Sequence, residues 1–249
     1  DALLRKRHQL KVDLAAHLKE PGPGALESEL AAAAAGGVTS LVCPPDTDPP
    51  LDEPGLVDML KFRARKLSRC RLFPLGALTQ RLAGVELTEM IDLTEAGCVG
   101  FSQAEHPIKD NLTLMRAMQY ASTRGYAVWL RPQEPSLSEG GAATMGELAT
   151  RLGLPGIPAA AEAILVGRDI RLAEMTGGAV HFAHISTAEA LARIRGAKQA
   201  GLAVTCDTAP PYFDLNETAI GDFRTYAKLS PPLRTEADRL AVVVALADG

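Results

Sequence analysis

Polar and apolar residues alternate over the first extended segment of the chain. Asp13, Ala15 and His17 share one face, while Val12, Leu14, Ala16 and Leu18 take the other. The alternation predicts a first strand, closed by the loop Pro21-Gly22-Pro23-Gly24. Beyond it, short apolar runs take turns with segments of helical spacing. A small-residue helix over Glu27 to Ala35 stops at Gly36-Gly37, and its alanines are expected to let it sit close to a sheet. Val38 to Cys43 reads as a buried strand, Pro54 to Ser68 as a helix and Arg71 to Leu78 as a strand. Gly84 to Ala96 reads as a helix, Cys98 to Ser102 as a strand, Leu112 to Thr123 as a helix and Ala127 to Leu130 as a strand. A long loop rich in Gly, Ser and Pro then leads to a helix over Ile157 to Met175. Strand Ala179 to Ile185, helix Thr187 to Ala200, strand Leu202 to Cys206 and a final helix over Glu236 to Ala247 follow. Strands separated by helices predict an α/β chain with a parallel sheet, whose chemistry lies on the loops after the strand C-termini.

Composition narrows the function classes. The 249 residues are 47% hydrophobic and 22% charged, which suits a packed globular chain. A formal net charge of -4 and a pI near 5.8 argue against a nucleic-acid partner, which would need a clustered excess of Lys and Arg. Only residues 1–11, with Arg5, Lys6, Arg7 and Lys11, form a basic segment, read here as a solvated terminus ahead of one domain over residues 12–249. No apolar run approaches the roughly 18–20 residues that span a bilayer, so no membrane partner is expected. Cys43, Cys70, Cys98 and Cys206 form no CxxC pair, as expected of reduced thiols in a soluble cytoplasmic protein.

An opening motif and five further ordered blocks carry a more specific signal. The stretch from Asp13 to Gly22 resembles the opening motif Asp-x-His-x-His-x-Arg-x-Pro-Gly of the dihydroorotase branch of the cyclic amidohydrolases. Gly36 to Pro50 (GGVTSLVCPPDTDPP) is similar to that family's Gly-Gly-x-Thr-x-x-x-x-Met-Pro-Asn-Thr-x-Pro. Leu75 to Met90, Arg151 to Gly178, His181 to Ala190 (HFAHISTAEA) and Lys228 to Arg234 (KLSPPLR) continue the likeness in order. The resemblance implies a (β/α)8 TIM barrel of the amidohydrolase type, with zinc at its C-terminal mouth activating water to open or close the dihydroorotate ring. Seven strands are visible. The eighth strand and the small β-sandwich of the family are not, so a natural chain longer than 249 residues is expected.

Carried over residue by residue, the ligand positions that the resemblance implies are mostly substituted. Strand 1 has Ala15 and His17 where two histidines are implied, and Gln103 stands for the bridging carboxylate, with Glu105 displaced along the same loop. Arg131 replaces a ligand histidine, and a guanidinium has no lone pair to give a cation. His184 is retained, whereas His181, three residues earlier, faces the other side of its strand and reads as structural. The implied substrate clamp is altered too. Lys19 stands for an arginine, Asp46 for an asparagine and Ser230 for an asparagine before Pro-Pro-Leu-Arg. The expectation is therefore a pseudoenzyme with no catalytic residues and no cofactor, a dihydroorotase-like subunit of a hetero-oligomer with the aspartate transcarbamoylase catalytic chain of pyrimidine biosynthesis. The alternative is an active zinc amidohydrolase using His17, His184 and Glu105 around one metal.

Overall fold

The computed structural model describes residues 11–14, 16, 25–67 and 69–248. The chain divides into two compact units, Asp1–Trp129 and Leu130–Gly249.

In the first unit, β1 (Val12–Asp13), β2 (Ser40–Cys43) and β3 (Arg71–Pro74) pair in parallel, with Val12 opposite Ser40 and Ser40 opposite Arg71. All four residues of β2 are buried, as expected of a parallel strand covered on both faces. β4 (Gly76–Ala77), β5 (Phe101–Ser102) and β6 (Ala127–Leu130) form a second parallel run. The predicted strand Arg71 to Leu78 is thus divided between two ladders. At the changeover Leu75 donates its N–H to Cys43 O at 2.9 Å, and Gly76 donates to Gly100 O at 2.9 Å on the opposite side.

Helices α1 (Ala25–Ala35), α2 (Pro54–Leu67), α3 (Met90–Ala96) and α4 (Asn111–Thr123) connect these strands. Helix α1 buries its leucines in preference to its alanines. Leu26 and Leu30, one turn apart, are fully buried, whereas Ala31, Ala32 and Ala35 are exposed, because the large leucines gain far more from burial. Helix α3 starts at Met90 rather than at Gly84. Residues 79 and 87 form an antiparallel bridge, and the Thr88 hydroxyl donates to Ala77 O at 2.5 Å, so backbone and side chain here serve a turn instead of a helix. Asp110 caps α4, accepting from the N–H groups of Leu112 and Thr113.

In the second unit, the expected long loop contains regular structure. A short helix α5 (Pro135–Ser138) precedes β7 (Ala143–Thr144), which pairs in parallel with β8 (Gly156–Ile157) around α6 (Glu147–Leu152). Ile157 therefore belongs to a strand, and α7 (Ala160–Thr176) begins after Pro158. Strand β9 (Ala179–Phe182) pairs in parallel with β10 (Val204–Cys206) across α8 (Ala188–Gln199), and the N–H of Ala183 donates to Leu130 O at 2.9 Å. Helices α9 (Pro210–Asp214) and α10 (Glu236–Asp248) close the unit. A satellite core gathers Tyr212, Ile220, Ala227 and Leu233 against Ala143 and Ala149. No helix among the described residues is long and apolar enough to cross a membrane.

Gly76 lies where the two ladders of the first unit meet, and a Cβ added there would come within 2.9 Å of the fully buried Phe101 ring and 3.2 Å of Leu93. Gly76→Ala is expected to destabilise the chain by about 1–3 kcal/mol through overpacking, measured as a lower urea midpoint at unchanged slope.

Candidate active site

The loops after the parallel strands carry the side chains that the sequence singled out. In the first unit, Asp46 is half-buried in the loop after β2, and Gln103 follows β5 and is buried. The Gln103 amide nitrogen donates to Thr79 Oγ1 at 2.8 Å, and Gly84 N–H donates to the same oxygen at 2.9 Å, so the amide is built into the β4–β5 junction. Glu105 and His106 are exposed on the same loop. Ala15, His17 and Lys19 lie outside the described residues.

In the second unit, Arg131 follows β6 and its guanidinium Nη2 donates to Ser230 Oγ at 2.6 Å, so two substituted positions that are 99 residues apart in sequence meet. His184 follows β9 with its backbone in the left-handed region, at φ 58°. For a residue with a Cβ this conformation costs about 1–3 kcal/mol and persists only where the surroundings impose it. Asp207, just past β10, is one such constraint: its Oδ1 accepts the His184 N–H at 2.7 Å. Its Oδ2 lies 3.0 Å from His181 Nε2, and His181 Nδ1 lies 2.8 Å from Thr205 Oγ1. Burial alone would raise the Asp207 carboxyl, but the hydrogen bonds from His181 and from the His184 backbone outweigh it and hold the group below the usual aspartate value. His181 is therefore a strut between β9 and β10. Asp207 was missed from the sequence, although its place at the C-terminal end of a predicted strand was a usable signal.

The segment after His184 is anchored by a buried charge network. Glu162, in the first turn of α7, accepts from Ser186 N–H at 3.0 Å, Thr187 N–H at 2.9 Å, Ser186 Oγ at 2.5 Å and Thr187 Oγ1 at 2.8 Å. Arg234 Nη2 lies 3.8 Å from Glu162 Oε2. Its Nε donates to Ser186 Oγ at 3.0 Å, and its Nη1 to Ile157 O at 3.3 Å. Burial lowers the Arg234 pKa from its ordinary value while the Glu162 charge opposes that shift.

The donor set can be tested against a divalent metal. Among the described residues no group of three His, Cys, Asp or Glu side chains could hold an ion. Gln103 offers a neutral amide already engaged with Thr79, and Arg131 offers a cation. The described residues do not by themselves fit a catalytic zinc, which takes three or more protein ligands.

Comparison with known proteins places the chain. The sequence model of the family described as Dihydro-orotase-like matches residues 8–190. The chain belongs to the dihydroorotase-like family. It is 43% identical over 242 residues to the dihydroorotase of Desulforapulum autotrophicum, covering 96% of this chain and 57% of that protein. It is 44% identical to the dihydroorotase of Desulfotalea psychrophila and 41% identical to the dihydroorotase-like protein of Pseudomonas aeruginosa, with the same coverage. The chain thus spans little more than half the length of these relatives. Among solved structures it is similar to the L-hydantoinase of Arthrobacter aurescens (TM-score 0.78, 20% identity, 96% of this chain and 55% of that one). It is also similar to the Saccharomyces cerevisiae dihydroorotase in complex with 5-fluoroorotic acid (TM-score 0.73, 15% identity, 96% and 66%). The fold is α/β, part of an amidohydrolase-type (β/α)8 barrel.

Two expectations are corrected by these relatives. The non-enzyme reading is overturned, since relatives 40–44% identical over 96% of the chain are named dihydroorotases. The expectation of no cofactor is overturned with it, since it rested on that same non-enzyme reading. The substitutions at Gln103 and Arg131, read together with Ala15 and the altered clamp positions as a joint loss, remain facts of the sequence.

Glu162 and Arg234 are each almost wholly buried, so removing one strands the charge of the other. Glu162→Ala is expected to cost about 3–5 kcal/mol, read as a lower urea midpoint, because it also leaves two buried N–H groups without their acceptor.

Proposed function

We propose that residues 12–249 are the barrel domain of a metal-dependent, dihydroorotase-type cyclic amidohydrolase that acts in the cytoplasm in pyrimidine biosynthesis. The observation that carries this reading is 43% identity over nearly the whole chain to a protein named dihydroorotase, together with the family match. In this reading His184 is a metal-facing residue, with His17 and Glu105 the further ligand candidates. Asp207 holds the His184 backbone in place. Arg131, braced by Ser230, presents a cationic fork suited to the carboxylate of a dihydroorotate-like substrate.

Purified protein assayed for ring opening of dihydroorotate and for metal content tests the reading. About one equivalent of tightly held zinc is expected, with activity falling to background in His184→Ala and with KM raised about tenfold or more in Arg131→Ala. A protein that binds no metal and opens no ring when supplied with zinc overturns it.

We also propose that this chain associates with the aspartate transcarbamoylase catalytic chain in a hetero-oligomer, a partner supported by the family resemblance. Co-purification of the two chains is the expected result. A transcarbamoylase that is fully assembled and active without this chain, and that elutes separately from it, rejects the partner.

A further inference from the structure

The parallel strands of the first unit have two edges. Asp46 and Gln103 lie at the C-terminal edge, and a cleft of about 810 Å³ opens at the other. Thr39, just before β2, Arg71 at the start of β3, and Gly97 and Val99 ahead of β5 line it. Lys61, Arg65 and Arg69 line it as well, and none of its lining residues is acidic. A cleft with four cations and no carboxylate is unexpected in a chain whose formal net charge is -4. Lys11 adds a further positive charge, since its Nζ comes within 3.6 Å of where a Cβ on Gly37 in the cleft wall would lie.

Part of this charge has a structural explanation. Helices α1, α2 and α3 all end at this edge, and each C-terminus carries roughly half a negative charge. Lys61 is used in this way. Its Nζ donates to Ala96 O at 2.6 Å, in a space that only Gly97 leaves open, because a Cβ there would come 1.8 Å from that nitrogen. Arg65 lies in the last turn of α2. Lys61 and Arg65 thus serve helix ends, which leaves the charges of Arg69 and Arg71 to be explained. Arg69 and Arg71 belong to no helix; both are exposed, and they flank Cys70. Beside them Phe73 and Val99 are exposed as an apolar wall.

We propose that this cleft binds a phosphate-bearing small molecule of the nucleotide class, its phosphates taken by the forks of Arg69 and Arg71 and its base laid against Phe73. Guanidinium groups pair with phosphate bidentately, an aromatic face stacks on a base, and the cleft volume lies within the roughly 300–1,000 Å³ of small-molecule sites. The site is separate from the loops of the proposed chemistry and does not depend on that activity.

Isothermal titration of the 249-residue chain with ATP, pyrophosphate and adenosine at low salt tests the assignment. ATP is expected to bind saturably, more weakly as salt rises, and about tenfold or more weakly in Arg69→Gln/Arg71→Gln, with adenosine alone not binding. The single variants Arg69→Gln and Arg71→Gln are each expected to show an intermediate loss, so the test does not rest on the double variant folding. Pyrophosphate is expected to bind more weakly than ATP, and pyrophosphate binding as tightly as ATP overturns the nucleotide assignment. No saturable ATP binding up to about 1 mM, unchanged affinity in all three variants, or an oligonucleotide outcompeting ATP for the same arginines overturns the proposal.

Discussion

The buried contact between Glu162 and Arg234 holds the second unit together, because it forces several distant segments to agree on one arrangement. A carboxylate and a guanidinium removed from water are tolerated only when their remaining lone pairs and protons are satisfied. Glu162 meets that condition with the backbone and hydroxyl groups of Ser186 and Thr187, and Arg234 does so with Ser186 and Ile157 O. Ser186 and Thr187 follow His184, and Thr187 also caps α8 through Ala190 N–H. One electrostatic constraint thus sets the start of α7, the start of α8 and the turn that presents the retained histidine. Three of the sequence blocks that carried the family likeness, Arg151 to Gly178, His181 to Ala190 and Lys228 to Arg234, meet at this pair. Their sequence similarity has a structural reason that is independent of metal binding.

The first unit is governed by a steric constraint instead. Its strand after α2 hydrogen-bonds to β2 up to Leu75 and to β5 from Gly76 onward, so the backbone must pass close to Phe101 at the changeover. Glycine allows that approach. The result is a sheet with two chemically different edges, one carrying Asp46 and the buried Gln103, the other a concave surface of arginine and lysine.

Gln103 and Arg131 are poor donors to a metal, and the structure gives each a local role, with Thr79 and with Ser230. Local roles of this kind explain why the substitutions are accommodated; they do not decide what the protein does. Similarity sustained over nearly the whole chain to relatives named dihydroorotases weighs against a reading built from a few positions. Lys11, the last residue of the basic N-terminal segment, is exposed and lies beside the wall of the cationic cleft.

Local pattern was enough for the strands and helices whose burial follows from periodicity, and for the glycine stop after α1. It also placed Asp46, Gln103 and Arg131 after strand ends, although it ran the strand that ends at Phe182 on past His184, and the order of motifs was enough for the family, because those features depend on neighbours in sequence. The division of Arg71 to Leu78 between two ladders, the β7–β8 pair inside an apparent loop, and the turn in place of helix before Met90 were not legible. Each depends on hydrogen-bond partners tens of residues away. Asp207 beneath His184, Ser230 against Arg131, and the arginines gathered around one cleft belong to the same class. Residue type limits what each side chain can do; only the tertiary fold decided which opposite charge, N–H group or empty volume it would meet.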